Sequence, residues 1–296
     1  MLAPAAFDRA VAFIRDRGRS LDVELLKHTF TGDNAPAVLA ALAAYQNPDG
    51  GFGRALEPDI RSPASSAIAS SIGFNVLRRV DAGPDEPLVR RGVAWLVEHC
   101  RDGVWPIVDA AIDHAPHAFW WNWSEDLAKA WNGFRFNPTA ELLGYLFDHR
   151  ALVPQALLAR VQDGLLGNLE AQPILTGAYD LKAALRLAET QDLPALLWHR
   201  LASVLRASAP RLDDPHATAL ELVPKPGSLL HAVLADRVEA DIERLIAAQQ
   251  PDGSWAPFWD WRAVSPNAWV EAERDWRSVL TRQALELLHA HGRIGL

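Results

Sequence analysis

The stretch AAQQPDGSWAPFWDW, from Ala247 to Trp261, decides how the rest of the chain is interpreted. An apolar helix tail ends at two Gln residues, the chain turns at Pro-Asp-Gly, and four of the last seven residues are Trp or Phe. Pro and Gly interrupt regular structure more strongly than other residues, so the pattern predicts a helix end followed by a turn. The aromatic residues after the turn then need a surface to pack against.

The same order of residues occurs near the N-terminus, in LAALAAYQNPDGGFGRALEPD (residues 39–59). Gln46 stands four residues before Gly50, as Gln249 stands four residues before Gly253. An aromatic residue follows each Gly at the second position. The pattern is therefore a repeat.

A third copy is RRGVAWLVEHCRDGVWP (residues 90–106), which has Gly103 and Trp105 but carries Cys100 where the Gln would stand. A weaker unit is predicted around residues 157–170. A repeating unit of this kind cannot bury its own apolar face and must stack on a neighbour. The chain is thus predicted to be an array of helix pairs.

Composition limits the classes of partner. Of the 296 residues 49% are hydrophobic, enough for a full core, and the net charge of −8 argues against a nucleic-acid surface. The single Cys suits a reducing compartment. Asp8 and Arg9 interrupt the apolar pattern of the N-terminus, so neither a secretory signal nor a transmembrane segment is predicted there. A cytoplasmic location is expected, and the oligomeric state is not indicated.

Apolar residues step by three and four along most of the chain, and no run alternates strictly, so an all-α protein is predicted. One helix is expected to begin with Ser62 as its cap and Pro63 at its first position. An opening helix is predicted with Phe7, Val11 and Ile14 on one face. Further helices are predicted at about residues 20–31, 33–46, 63–79, 85–100, 138–149, 153–170, 176–190, 194–208, 227–249 and 269–290.

Together these residues resemble the repeat of squalene and oxidosqualene cyclases, whose relaxed form is shared by the β subunits of protein prenyltransferases. The repeat runs basic residue, Gly, two residues, aromatic, aliphatic, a short gap, Gln, and Gly-x-Trp. The third copy departs from it at Cys100 alone. The residues that fit in that copy are Arg91, Gly92, Trp95, Leu96, Gly103 and Trp105.

The resemblance implies a single α/α toroid over residues 1–296, in which outer and inner helices alternate around a central cavity. It also implies that the Gln caps a helix end and stacks on the Trp of the turn, which ties neighbouring units together. In such a toroid the segment after each turn passes the mouth of the cavity.

Twelve Trp residues are present, five of them between positions 105 and 131 and five between 255 and 276. About half are expected to fill the core. The loop between Trp105 and Pro138 is long for a compact domain and too aromatic for disorder, so it is predicted to be an ordered aromatic lid or wall over the cavity. The predicted substrate-binding residues are Trp120, Trp121, Trp123, Trp259, Trp261, Trp276 and Tyr179.

Acidic residues near the starts of the predicted inner helices would converge on one end of a closed ring. Carboxylates are also favoured there by the helix dipole alone, so each single residue has a structural explanation. A carboxyl in an aromatic pocket keeps its proton and suits general acid catalysis. The candidate catalytic residues are Asp59, Glu57, His117, Glu141 and Asp180. Asp59 is preferred to Glu57, and His117 to His114.

The chain departs from the known chemistries of the family. It lacks the Asp-x-Asp-Asp run of protonating cyclases and a convincing Asp-rich magnesium cluster. Cys100 lies at an outer-helix position, so zinc binding is not predicted, and no cofactor is expected. The length fits one toroid, whereas squalene-type cyclases have two.

The leading hypothesis is an enzyme that acts on a hydrophobic, isoprenoid-type small molecule in the cavity, with aromatic faces stabilising positive charge. A carbohydrate-active α/α-barrel enzyme is a variant, because Trp platforms and paired carboxylates also suit glycosides. The alternative is a non-catalytic toroid that binds a lipid or a protein. Choosing among them rests on analogy, since fold does not fix function.

Overall fold

The computed structural model describes residues 1–32, 34–125 and 134–295. Within these ranges the protein is all-α, with isolated bridges but no β-strand. No helix in the described part of the chain is both long enough and apolar enough to cross a membrane. The α-helices are α1 (Pro4–Arg17), α2 (Ser20–Thr31), α3 (Ala35–Ala43), α4 (Ala67–Arg79), α5 (Pro87–His99), α6 (Phe136–Asp148), α7 (Gln155–Ala171), α8 (Ala178–Ala188), α9 (Ala195–Ser208), α10 (Ala219–Leu222), α11 (His231–Ala247) and α12 (Pro266–Ala290).

The predicted helices all exist, and their ends differ by a few residues. The expected start of α4 at Ser62 and Pro63 is wrong, because Ser66 is the cap and its side chain accepts the N–H of Ala69. The Ser66 N–H donates to the carbonyl of Phe52 at 3.0 Å, which keeps the preceding residues extended. A contact with an earlier turn therefore delays the helix.

The chain divides into two compact units. The first combines residues 1–44 with residues 218–296, and the second is the continuous segment 45–217. The single domain over residues 1–296 stays a prediction.

Helices α4, α6 and α8 of the second unit run parallel to one another. Three side-chain pairs join α4 to α6 at a constant offset of 70 residues: Ser71 with Glu141, Asn75 with Tyr145, and Arg78 with Asp148. The α6–α8 pair is parallel as well, since Asn137 meets Asp180 and Glu141 meets Arg186. These helices therefore begin at the same end of the unit. Each is followed in the chain by a helix that packs on it: α5 on α4, α7 on α6 and α9 on α8.

The Gly50 turn (residues 46–52) ties the start of the second unit to α5. The Gln46 amide donates to the carbonyls of Gly50, at 3.0 Å, and of Leu88, at 2.9 Å. Gly50 has φ +97°, and a Cβ there would lie 2.4 Å from the carbonyl oxygen of Arg91. Only Gly fits both the left-handed backbone and the close approach to α5.

The Gly253 turn (residues 249–255) repeats this geometry in the first unit, against α1. The Gln249 amide donates to the carbonyls of Gly253, at 3.0 Å, and of Ala6, at 2.8 Å. A Cβ on Gly253 would lie 2.5 Å from the carbonyl oxygen of Arg9. In the Gly50 turn the Gln binds the carbonyl of Leu88, three residues before Arg91, which the Gly approaches. In the Gly253 turn the Gln binds the carbonyl of Ala6, three residues before Arg9, which the Gly approaches. The Gln thus joins its own turn to an adjacent helix.

The Gly103 turn (residues 100–105) is one residue shorter and is held less closely. Its backbone closes between Arg101 and Val104, and a Cβ on Gly103 would find its nearest neighbour, the Cγ of Arg160, only at 3.4 Å. Burial raises the pKa of the Cys100 thiol to about 11, although the Gly103 N–H donates to its sulfur. Cys100 is therefore a neutral, partly buried group.

A buried ionic network joins α2 to α12 in the first unit. The fully buried carboxylate of Asp22 accepts from Arg19 at 2.7 Å, Arg282 at 2.9 Å and Ser278 at 2.9 Å. Burial alone would raise the pKa of Asp22, but the two guanidinium groups outweigh burial and lower the pKa to about 2. This network could not be predicted from the sequence, because the same residues in an amphipathic helix fit a solvated face.

Candidate active site

The segment that carries Asp59 lies directly beside the aromatic loop that carries His117. The Ala118 N–H donates to the Asp59 carbonyl at 3.0 Å, and the Arg61 N–H donates to the Pro116 carbonyl at 2.9 Å. The side chains of Asp59 and Glu57 are buried, with relative exposures of 3% and 8%. The two segments expected to meet above α4 therefore do meet, through their backbones.

His117 is engaged within its own loop. Its Nδ1 lies 2.8 Å from the Ala115 carbonyl oxygen, and its Nε2 lies 3.1 Å from the Asn122 amide oxygen and 3.4 Å from the Asp113 carboxylate. Since both ring nitrogens have partners, His117 stabilises the loop. His114 is exposed at the end of a short 3-10 turn (Ala110–His114).

Asp180 occupies the first turn of α8, at the end of the unit where the parallel helices begin. One carboxylate oxygen accepts the Asn137 N–H at 3.0 Å. Burial raises the pKa of Asp180 and outweighs the opposing effects of this hydrogen bond and of the Arg135 charge. A carboxyl with a raised pKa holds its proton to higher pH and can donate it.

Two rings lie near the start of α8. The exposed Tyr179 ring has its centroid 5.5 Å from that of His216, and the His216 Nδ1 lies 3.0 Å from the Asp214 carboxylate. The carboxylate orients the imidazole, as it does in many acid–base sites. Neither His216 nor Asp214 was singled out from the sequence, since a His two residues after an Asp in a turn is common.

Glu141 lies between the parallel helices. It is fully buried, accepts from the Ser71 hydroxyl at 2.6 Å and forms an ion pair with Arg186. The neighbouring Tyr145 has its pKa raised by burial and then by the Glu141 charge. Each of these contacts joins two helices, which fits a structural role for Glu141.

The predicted aromatic residues fall into distinct environments. Trp120 and Trp121 form a short 3-10 turn with Phe119, and Trp123 follows, all partly buried. In the other unit, Trp261 is 1% exposed and packs against Trp269, which places it in the core. Trp259 and Trp276 are partly buried and meet edge to face at 5.0 Å. The predicted aromatic loop extends into residues 126–133, which lie outside the described residues.

A cleft of about 200 Å³ lies beside the Gly103 turn, and among the predicted site residues Trp123 lines it. It is lined by the start of α4 (residues 65–67), by the turn and the end of α5, and by the aromatic loop. Its aromatic and charged lining residues are Trp95, His99, Arg101, Trp105, Asp109 and Trp123. The replacement of the Gln by Cys100 is the signal that could have drawn attention to it.

Within the described residues, no group of three or more His, Cys, Asp or Glu side chains is arranged to hold a metal ion. Comparisons of the chain with protein-family models, with curated proteins and with solved structures found no match.

Proposed function

We propose that the protein is an α/α toroid enzyme that acts on a small, hydrophobic, isoprenoid-type molecule, with the carboxyl of Asp180 as its general acid. The observation that carries the proposal is the raised pKa of Asp180, at the end where α4, α6 and α8 begin. A raised pKa favours the protonated carboxyl, which is the form that alkene protonation requires.

The toroid part of the proposal is supported by the repeated helix pairs of the second unit. In a toroid the inner helices run parallel and each is followed by an outer helix that packs on it. The order α4–α5, α6–α7 and α8–α9 has this character, and the constant offset of 70 residues between α4 and α6 fits a repeat. The shared geometry of the Gly50 and Gly253 turns extends the repeat to both units.

The choice of substrate class is supported by aromatic surface near the acid. Tyr179 and Phe119 are each 55% exposed, which is high for large aromatic side chains. Tyr179 directly precedes Asp180 in the first turn of α8, and Phe119 follows Ala118, whose N–H donates to the Asp59 carbonyl. Exposed aromatic faces bind apolar ligands and stabilise a developing carbocation. Asp59 is the second acid candidate, because it is buried in the neighbouring segment.

The class of reaction follows from the role of Asp180 as a proton donor. The protonated Asp180 gives its proton to an alkene, the resulting carbocation rearranges or closes a ring, and loss of a proton to the carboxylate ends the cycle. The product is an isomer of the substrate, so its mass is unchanged. Asp180→Asn keeps an oxygen for the Asn137 N–H but has no acidic proton.

The test is incubation of the protein with squalene and with farnesol, followed by gas chromatography and mass spectrometry. We expect a new isomer from at least one of them, loss of the isomer with Asp180→Asn, and little change in affinity, since the acid acts in the transition state. Asp163→Asn, at an exposed position of α7, is the matched control and should keep full turnover.

Two results would overturn the proposal. No isomer from either substrate, with protein shown to be helical by circular dichroism, would remove the activity. Turnover that survives in Asp180→Asn would remove this residue as the acid. Saturable binding of farnesol without any product would instead favour the non-catalytic alternative.

A further inference from the structure

We infer that the cleft beside the Gly103 turn is a binding site for a neutral saccharide ring. This inference does not depend on the proposed acid chemistry, because neither Asp180 nor Asp59 lines the cleft.

The aromatic part of the cleft is fixed before any ligand arrives. The Trp105 indole N–H donates to the Leu96 carbonyl at 2.8 Å, and the Trp95 ring stacks on His99 with centroids 4.2 Å apart and planes inclined by 14°. Both Trp side chains are buried, with exposures of 2% and 5%. Side chains held in this way bind without a further loss of conformational freedom.

Trp123 supplies the partly exposed aromatic face. Its backbone N–H donates to the Asp113 carboxylate at 3.1 Å, and the same carboxylate lies 3.4 Å from His117. The loop network described above thus holds Trp123 beside the cleft. Of the three indoles, that of Trp123 is the partly exposed one, and it offers flat apolar surface of the kind that accepts the C–H face of a sugar ring.

The polar groups of the cleft include both donors and acceptors. The His99 Nδ1 lies 2.9 Å from the Trp95 carbonyl oxygen, and since a carbonyl only accepts, Nδ1 carries a proton and Nε2 is the ring atom left to meet a ligand. One Asp109 oxygen accepts the Ala111 N–H at 2.8 Å, which leaves the other for a ligand. The Arg101 guanidinium is a donor at the exposed rim.

This combination excludes several ligand classes. A long apolar chain would take Arg101 and Asp109 out of water without hydrogen bonds, which is unfavourable. An anion would face Asp109, and a cation would face Arg101. A hydroxyl both donates and accepts, so a neutral ring with several hydroxyls matches every polar group present.

The size of the cleft narrows the ligand further. Its volume of about 200 Å³ lies below the ~300–1,000 Å³ of sites for drug-sized molecules, so one ring is the fitting unit. Arg101, Asp109 and Ala110 are exposed, so the cleft is open to solvent at these residues. A monosaccharide or the terminal unit of a longer glycan therefore fits.

The experiment is isothermal titration calorimetry, with intrinsic Trp fluorescence in parallel, of the full chain with glucose, galactose and N-acetylglucosamine. We expect saturable binding of at least one sugar. Trp123→Ala should weaken that binding by about tenfold, and Asp109→Asn, which keeps an acceptor for Ala111, by a similar factor. Trp198→Ala is the matched control, because Trp198 is partly buried on α9 and does not line the cleft.

The inference fails if none of the sugars gives saturable binding at tens of millimolar. It also fails if inorganic phosphate binds in their place, or if Trp198→Ala weakens binding as much as Trp123→Ala does. Circular dichroism of each variant separates a lost site from lost folding, and Asp109→Asn tests the site if Trp123→Ala does not fold. Loss of isomerase turnover in Asp180→Asn, with sugar affinity unchanged, separates this site from the proposed function.

Discussion

The Gly253 turn and the Gly103 turn share a sequence pattern, but the Gly103 turn is one residue shorter and has Cys100 in place of the Gln. In the first, Gln249 joins the turn to α1 and Gly253 approaches the α1 backbone closely. In the second, Cys100 cannot reach a carbonyl on the neighbouring helix, and the approach of Gly103 to α7 is looser. The cleft lies beside this second turn. The turn that lacks the tying amide is thus the one that borders a cleft.

The largest expected effect tests what the two turns still share. Trp255→Ala and Trp105→Ala should each lower the free energy of unfolding by about 3–5 kcal/mol, because both indoles are buried and donate to a helix carbonyl. Urea denaturation of the two variants measures this. A Trp105 variant as stable as the parent would show that the Gly103 turn is open altogether, rather than looser.

Substitution of the turn glycines by Ala should distinguish the closely packed turns from the Gly103 turn most clearly. Gly253→Ala and Gly50→Ala place a Cβ within about 2.5 Å of a backbone carbonyl at positive φ, so we expect each to destabilise by about 2–4 kcal/mol. Gly103→Ala has the same backbone strain without the close contact, and should cost about 1–2 kcal/mol. Equal losses at Gly103 and Gly253 in thermal unfolding would contradict the difference in packing.

The carboxyls of Asp22 and Asp180 should make contributions to stability that depend on pH in opposite ways. Asp22 has a folded-state pKa of about 2 against an ordinary 3.8, so it stabilises the fold above pH 3.8, and this contribution disappears as the pH falls through about 2. Its size is about 2 kcal/mol. The stability difference between the parent and Asp22→Asn should therefore shrink on acidification.

The stability contribution of Asp180 should change with pH in the opposite direction to that of Asp22. Its folded-state pKa is raised, so the folded state binds its proton more tightly than the unfolded state, and stability falls as the pH rises from 3.8 through the raised value. Asp180→Asn removes that dependence. Urea denaturation at several pH values measures both effects. If the stabilities of the two Asn variants, each relative to the parent, changed with pH in the same direction, the expected difference between Asp22 and Asp180 would be wrong.

The smallest effects concern the Gln position itself. Gln46→Ala and Gln249→Ala each remove an amide that bridges two carbonyls, and should cost about 1–2 kcal/mol. Cys100→Ala should cost about 1 kcal/mol or less, because only one weak hydrogen bond and part of a buried thiol are lost. Chemical denaturation of the three variants compares them directly. A Cys100 variant as damaging as the Gln variants would show that the thiol replaces the amide.

Local patterns in the sequence predicted the helices and the Gln turns well. Helical periodicity and the Gln-to-Gly spacing depend on neighbours in the chain, so Gln46 and Gly50 could be understood together. The meeting of the Asp59 segment with the His117 loop could also be predicted, because the loop was expected to lie over the end of the ring where Asp59 and the other acids converge.

Features that depend on distant partners could not be predicted. Asp22 and Arg282 are 260 residues apart, and each alone fits an exposed helix face. The start of α4 moved to Ser66 because the carbonyl of Phe52 binds the Ser66 N–H. The cleft is lined by residues from α4, α5 and the aromatic loop, and the sequence alone does not show that these segments meet.

The division of the chain has a consequence for its synthesis. The second unit is continuous over residues 45–217, so it can acquire its structure while the ribosome is still adding residues. The first unit cannot, since Gln249 binds Ala6 and Arg282 binds Asp22. Until α12 emerges, the apolar sides of α1 and α2 lack their final partner. Proteolysis of ribosome-bound nascent chains stalled near residue 260, before α12 is made, should therefore spare the second unit and digest α1 and α2.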